Sequence, residues 1–315
     1  MRLPRFVAPM LLAVASSISA QTRAPRAVLV TGASSGIGRK ITEQLASHGF
    51  FVYAGARSPK DLEDLGKIAG VQAVRLDVTS AADISAAVET VRKGGRGLYG
   101  VVNNAGVVVA GPLVELEEKE LDYIFNVNIY GPYRITKAFA PMLIDAKGRV
   151  VNISSLNGIV ASPMIGAYSM SKHAIEAFGD GLAAEMRPLG VRVSLIEPGN
   201  YGTEIGKNLL AHMDTAAIKG SRFAAQLRAT VTSMSQFEKN PPPDDVAEAV
   251  FDAFTNERPR MRYLVVPVEA QARIAIRKKM DDLVEMNEGQ MFRYDRDALV
   301  KMLDESIARA KAQRP

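Results

Sequence analysis

Tyr168 and Lys172 stand four residues apart, and Ser155 precedes them by thirteen residues from the tyrosine. A phenol, an amine and a hydroxyl together suit proton transfer. Four-residue spacing on a helix puts two side chains on one face, with Cβ atoms roughly 5 to 6 Å apart. Free tyrosine titrates near pH 10, so an adjacent ammonium that lowers this by about two units makes the phenol a usable proton donor and acceptor near neutrality. The same pair alone also fits a core aromatic beside a solvated charge. The elements that hold the pair, and what else lies at their ends, decide between the two.

Val150-Val151-Asn152-Ile153 is an apolar run suited to a buried strand; it ends in Ser154-Ser155, and a loop bearing Gly and Pro leads to a helix predicted from about Gly166. Ser155 therefore sits at a strand's carboxyl end. Further strands are expected at Ala27 to Val30, Phe51 to Ala54, Val71 to Leu76, Leu98 to Val102, Arg149 to Ile153, Val191 to Ile196 and Tyr263 to Val266, with helical patterns between them. This alternation predicts one α/β domain, a doubly wound parallel sheet of about seven strands. Such sheets bind ligands outside the carboxyl ends of their strands.

After the first strand comes Thr31-Gly32-Ala33-Ser34-Ser35-Gly36-Ile37-Gly38, opening a helix expected to run to about Ser47. Gly32 permits the tight turn, Gly36 lets backbone approach a pyrophosphate, and Gly38 lets the helix lie close on the sheet; the helix amino end then meets phosphate charge. A Gly-rich turn without a ligand is the alternative, and its place between strand and helix favours cofactor binding. The second strand ends Gly55-Ala56-Arg57, where an NAD site usually offers a carboxylate to the adenosine ribose. Ala56 stands there instead. Arg57 can pair with a 2′-phosphate, so NADP(H) is expected in preference to NAD(H), unless Arg57 is simply a solvated surface charge. Asp77-Val78 after the third strand fits adenine contact or a helix-capping turn, and Asn103-Asn104-Ala105-Gly106 after the fourth fits backbone bonding with close approach to the nicotinamide side.

Together Thr31 to Gly38, Asp77, Asn103 to Gly106, Asn128, Ser155, Tyr168 to Lys172 and Pro198-Gly199 resemble the short-chain dehydrogenase/reductase family over about residues 26 to 268. Arg57, the segment Glu197 to Thr203 and the long extension past the seventh strand resemble most its hydroxysteroid and retinol dehydrogenase branch. The resemblance implies a single-domain Rossmann fold and a catalytic tetrad of Asn128, Ser155, Tyr168 and Lys172. It implies that Ser155, chosen over Ser154 by the family's spacing, holds the substrate oxygen and that Tyr168 transfers the proton. Lys172 would lower the phenol pKa and hold the nicotinamide ribose, with Asn128 supporting a water relay to it. Asn126 is read as structural. The implied cofactor contacts are Thr31, Gly32, Ser34, Ser35, Gly36, Ile37, Gly38, Arg57, Asp77, Val78, Asn104, Ala105, Gly106, Tyr168, Lys172, Pro198, Gly199 and Thr203. A homodimer or homotetramer is implied by the family's habit.

A lid is expected over about residues 203 to 240, with Ile205, Leu209, Leu210, Met213, Ala216, Ala217 and Ile218 as its apolar surface and Pro241-Pro242-Pro243 at its end; an ordinary amphipathic helix is the alternative. Val107, Val108, Val109 and Ile165 are apolar residues beside the expected reaction centre. No charged anchor accompanies them, so an apolar alcohol or ketone is expected as substrate. The competing readings are a 3-oxoacyl carrier-protein reductase, which normally ends soon after the seventh strand, and a non-catalytic NADP-sensing protein, which would not need Tyr168 and Lys172 together.

Residues 1 to 20, with Arg2 and Arg5 before an uncharged run, resemble a secretory signal peptide, and the run is short for a membrane span. Arg2, Arg5, Arg23 and Arg26 face no acid nearby and supply most of the net charge of +5. The remainder is nearly neutral, which argues against nucleic acid as a partner. There are no cysteines, and three scattered histidines, His48, His173 and His212, make no metal-ligand spacing. Because a dissociable NADP(H) pool is intracellular, the working enzyme is expected on the cytoplasmic side, with the leader dispensable or a loose membrane tether. Residues 269 to 315 are expected to be a helical extension.

Overall fold

The computed structural model describes residues 25–213 and 215–312. The expected leader, residues 1 to 20, lies outside them, as do the side chains of Ala216 and Ala217 in the expected lid. Seven parallel strands form one sheet in the order β3-β2-β1-β4-β5-β6-β7. They are β1 (Ala27–Val30), β2 (Phe51–Ala56), β3 (Val71–Arg75), β4 (Gly100–Asn103), β5 (Arg149–Ile153), β6 (Arg192–Pro198) and β7 (Arg262–Val265). The order reverses between β1 and β4, so their carboxyl ends diverge around a crevice.

Alternate strand residues feed two cores, one on each face of the sheet. Val28 and Val30 of β1 join Ile41 and Leu45 of α1 (Gly36–Ser47) and Val250 and Phe254 of α10 (Asp244–Thr255). Ala27 and Leu29 point the other way, against Val91 of α3 (Ala81–Lys93) and Ile135, Phe139 and Leu143 of α5 (Gly131–Asp145). α2 (Pro59–Gly66) precedes β3, α4 (Glu118–Phe125) precedes α5, and α6 (Gly166–Met186) links β5 to β6.

Where strand boundaries differ from the sequence expectation, cross-strand partners account for it. β2 runs on to Ala56 because Gly55 and Ala56 pair with Val74 and Arg75, and β6 runs on to Pro198 because it pairs with Val265. β4 starts at Gly100 rather than Leu98, after Gly97 turns the chain with φ 65°.

Beyond β6 the chain makes an excursion of three helices, α7 (Ile205–His212), α8 (Thr215–Gly220) and α9 (Ala224–Ser235). Its two stems meet where the Gly202 N–H donates to the Pro241 carbonyl at 2.7 Å. After β7, α11 (Glu269–Glu288) and α12 (Arg296–Ala312) leave Ile276, Val284 and Met286 exposed, with Met291 and Phe292 exposed between the helices. Among the described residues no helix is long and apolar enough to cross a membrane.

Candidate active site

A cavity of about 480 Å³ lies along the carboxyl ends of the strands, within the size range of small-molecule sites. At one end it is walled by the turn after β1. Gly32 has φ 64°, and a Cβ there would stand 2.9 Å from Ala105 Cα, so the β1 and β4 turns touch backbone to backbone. A Cβ on Gly38 would meet the Gly32 carbonyl at 2.1 Å, which explains how α1 lies against its own approach turn. The amino end of α1 opens on the cavity: its Ser35 side chain makes no capping bond and no acid stands in its first turn. That leaves unpaired N–H groups and the positive helix pole facing the space, the arrangement a pyrophosphate requires. The chain therefore fits a dinucleotide.

Gly32, Ser34, Ser35, Gly36, Ile37, Arg57, Asp77, Val78, Asn104, Ala105, Gly106, Tyr168, Lys172, Pro198, Gly199 and Thr203 all line this cavity. Thr31 and Gly38 do not. Thr31 is buried and ties two strand ends together, its Oγ1 accepting the Asn104 and Ala105 N–H groups, each at 3.0 Å. Asp77 carries a carboxyl held below the usual range: burial opposes its charge, but the Thr79 hydroxyl and amide bond to it and Arg57 and Arg75 stand near. Arg75, not singled out from sequence, donates to the Arg57 carbonyl at 3.1 Å.

At the other end stands the proton-transfer group. Ser155 follows β5 and its Oγ accepts the Asn157 N–H at 3.1 Å. Tyr168 and Lys172 share the first turns of α6, with Nζ of the lysine 5.6 Å from the phenol ring centre. Nζ donates to the Ile153 carbonyl at 2.8 Å. The sequence led us to expect a phenol depressed by the ammonium. Burial dominates instead, pushing the Tyr168 phenol up, with a hydrogen bond from Ser155 pulling it down. Burial likewise pushes the Lys172 ammonium down to about 8, opposed by the charge of Glu176 one turn further along α6. From nearly equal ordinary values the two groups thus move apart in acidity, the buried phenol becoming the weaker acid and the ammonium the stronger one.

Asn128 is off the cavity wall. It sits in a wide π-helical turn, Asn126–Tyr130, where an α-helical register gives way, and it clamps two elements. Its Oδ1 accepts the Val107 N–H at 2.8 Å, and its Nδ2 donates to the Val107 carbonyl at 2.9 Å and Ser171 Oγ at 3.0 Å. A Cβ on Gly106 would stand 3.5 Å from Asn128 Oδ1 and 3.8 Å from Lys172 Nζ, so the bare glycine leaves room between them. Asn126 instead accepts Arg134 Nη1 at 2.7 Å.

The excursion after β6 roofs the reaction end. Leu209 and Ile205 of α7 and Met234 of α9 pack with Val108 and Ile165. Val109, expected beside the reaction centre, packs instead with Ile124 and Ala167. The sequence reading missed Asn157, Asn208, Thr230 and Ser233, which add hydrogen-bonding groups to the wall, and Gln271 of α11. Gln271 Oε1 accepts the Asn200 N–H at 2.9 Å beneath Pro198 and Gly199. No local pattern marks these residues; only the tertiary path brings them in. Arg57 and Lys172 are the cationic residues lining the cavity among the described residues.

The short chain dehydrogenase family model matches residues 26–214. The chain is 35% identical over 245 residues to the uncharacterized oxidoreductase YbbO of Escherichia coli K12, covering 77% of this chain and 86% of that protein. It is 40% identical over 183 residues to mouse retinol dehydrogenase 5, covering 56% and 57% respectively. A short chain dehydrogenase from Burkholderia cenocepacia, solved in complex with NADP, superimposes with a TM-score of 0.64 at 25% identity, over 82% of this chain and 95% of that one. A glycine turn at the switch in strand order and a Ser, Tyr and Lys at the far end of one cavity thus agree with the similarity. The chain belongs to the short-chain dehydrogenase/reductase family and is an oxidoreductase acting on CH–OH groups with NAD(P).

Proposed function

We propose that the protein is an NADP(H)-dependent oxidoreductase that interconverts an uncharged, largely apolar secondary alcohol and its ketone. The observation that carries the substrate class is the charge of the wall. Its cations are Arg57, at the adenosine end, and Lys172, already donating to the Ile153 carbonyl. Among the described residues a carboxylate or phosphate on the substrate would find no cation of its own at the roofed end, and burying it unpaired would cost several kcal/mol. Val108, Ile165, Ile205, Met234 and Phe237 supply apolar contact, while Asn208, Thr230 and Ser233 offer neutral hydrogen bonds.

Ser34, Ser35, Gly36 and Ile37 would hold the pyrophosphate, Asp77 and Val78 the adenine, and Thr203 with Pro198 and Gly199 the nicotinamide end. Arg57 supports NADP(H) over NAD(H), because Ala56 leaves no carboxylate to repel a 2′-phosphate. A bound nicotinamide supplies the hydride acceptor or donor. Ser155 holds the substrate oxygen, Tyr168 gives it or takes from it a proton, and Lys172 keeps positive charge beside the phenol. Asn128 fixes the loop after β4 to α6, and the room beside Gly106 admits a water between it and Lys172. The excursion over residues 203 to 240 acts as the lid, and among the described residues 269 to 312 form a helical extension that supports the cavity floor through Gln271. The reading places the enzyme on the cytoplasmic side, where NADP(H) is plentiful, as a homodimer or homotetramer.

The test is a screen of ketones with NADPH and of alcohols with NADP, following nicotinamide absorbance. Turnover of apolar neutral ketones, and little of their carboxylated analogues, is expected. Preference for a carboxylated or acyl-carrier substrate would overturn the reading, as would no turnover across the panel.

A further inference from the structure

Behind the reaction centre lies a group of charges, two of them buried, that the proton-transfer residues do not include. Glu176 of α6 and Glu197 of β6 are 9% and 3% exposed. Both face Arg262 of β7, whose Nε is 3.0 Å from Glu176 Oε2 and 3.4 Å from Glu197 Oε1. The guanidinium is already committed at its other edge, where Nη2 holds both oxygens of Asp180 at 2.8 and 2.7 Å. One cation thus serves three carboxyl groups. The two glutamates thus face one guanidinium from two elements, and two buried carboxylates this close favour keeping one proton between them.

The side of Glu176 away from the arginine is unusual. Its Oε1 is buried without a hydrogen-bond partner, and so is Ser154 Oγ on the cavity wall. Both border the bare Gly158, where a Cβ would stand 3.1 Å from the first and 2.6 Å from the second. The oxygen that is not spent on Arg262 therefore lies near Ser154, the residue before the reaction serine in the chain. Lys172 is one helical turn from Glu176, and these are buried charges, so their interaction is weakly screened.

We propose that Glu176 and Glu197, holding one proton between them, are positioning residues that set the charge of Lys172. With the proton on Glu197, Glu176 is ionised and keeps the buried ammonium charged beside Tyr168. Burial and the neighbouring carboxylate both favour the neutral form of Glu197, whose pKa is raised. The groups facing this assembly are Tyr168, Glu176 and Asp180 from α6, Glu197 from β6, Arg262 from β7 and, at longer range, Lys279 from α11.

The proposal rests on the reading of Lys172 as part of the reaction centre, but its test needs no turnover and no substrate. The full-length protein carrying ε-13C lysine is titrated by NMR, with the Lys172 signal assigned from Lys172→Met. Glu176→Gln should lower the midpoint of Lys172 by about one pH unit, a tenfold change in the amine to ammonium ratio. Glu197→Gln should leave it unchanged or raise it, because Glu176 then keeps its full charge. Glu176→Asp, which withdraws the charge without removing it, should fall between wild type and Glu176→Gln. A purely structural role would disturb the glutamine variants alike. A Lys172 midpoint that Glu176→Gln leaves in place, or that both glutamine variants lower equally, would overturn the proposal. If a glutamine variant does not fold, a Glu176→Asp midpoint equal to wild type would overturn it alone.

Discussion

Tyr168, Lys172 and Ser155 are legible from sequence because two of them are one helical turn apart and the third ends the strand that feeds that helix. What spacing cannot supply is the dielectric around them. Burial raises the phenol and lowers the ammonium, and neither follows from residue type. Nor could sequence pair Glu176 with Glu197 and Arg262, which come from three elements. The lysine shift has a thermodynamic consequence. Its unfolded value is 10.5 and its folded value about 8, so both states are protonated below pH 8 and the folded chain bears the full cost of a buried ammonium. Between the two values the unfolded chain holds a proton the folded one has lost, and stability rises with pH across that window. The cost removed is on the order of 3 kcal/mol. Denaturant unfolding of the unliganded protein from pH 7 to 10.5 should show this rise, and Lys172→Met should remove it; parallel curves for the two proteins would refute it.

Among the elements, the strands and α1 are read closely from sequence, since period-2 and helical patterns change at Gly and Ser turns. The excursion after β6 is read only as an apolar region. Its helices are short and their partners lie across the cavity, so periodicity alone does not fix their register. The structure locates the crossing of α7 and α9 at Gly206, where a Cβ would meet the Met234 carbonyl at 2.2 Å. Gly206→Ala should wedge these helices apart at a cost of about 1 to 3 kcal/mol, confined to the roof. Steady-state kinetics on the best ketone from the screen should show KM raised about five- to a hundredfold, with NADPH affinity within about threefold of wild type. Loss of NADPH affinity as large as the rise in KM would show that this roof is not a separate unit. The wide turn around Asn128 is not legible in the sequence, because an extra residue in a turn leaves no mark on composition.

For the whole molecule, one cavity links the uncapped end of α1, Arg57 and the proton-transfer residues along a single sheet edge. The parallel sheet was legible because strands and helices alternate along the chain, and the strand ends were less so because cross-strand pairing sets them. A ligand that spans this edge stabilises the whole fold by mass action, about 2.7 kcal/mol at a hundred times its Kd. NADPH should therefore raise Tm more than NADH at equal concentration. Arg57→Asp should reverse the order, since the guanidinium contributes about 1.5 to 3 kcal/mol to a phosphate and the carboxylate repels it. Equal shifts from the two cofactors in wild type would remove Arg57 from the account.

The assignment of the proton to Tyr168 is tested most directly by Tyr168→Phe, which keeps the ring and deletes the hydroxyl. NADPH binding, followed by its fluorescence, should stay close to wild type. Single-turnover oxidation of NADPH with the best ketone should fall by about three orders of magnitude, the middle of the range for losing a general acid. Turnover near wild type in that variant, with NADPH still bound, would contradict the account.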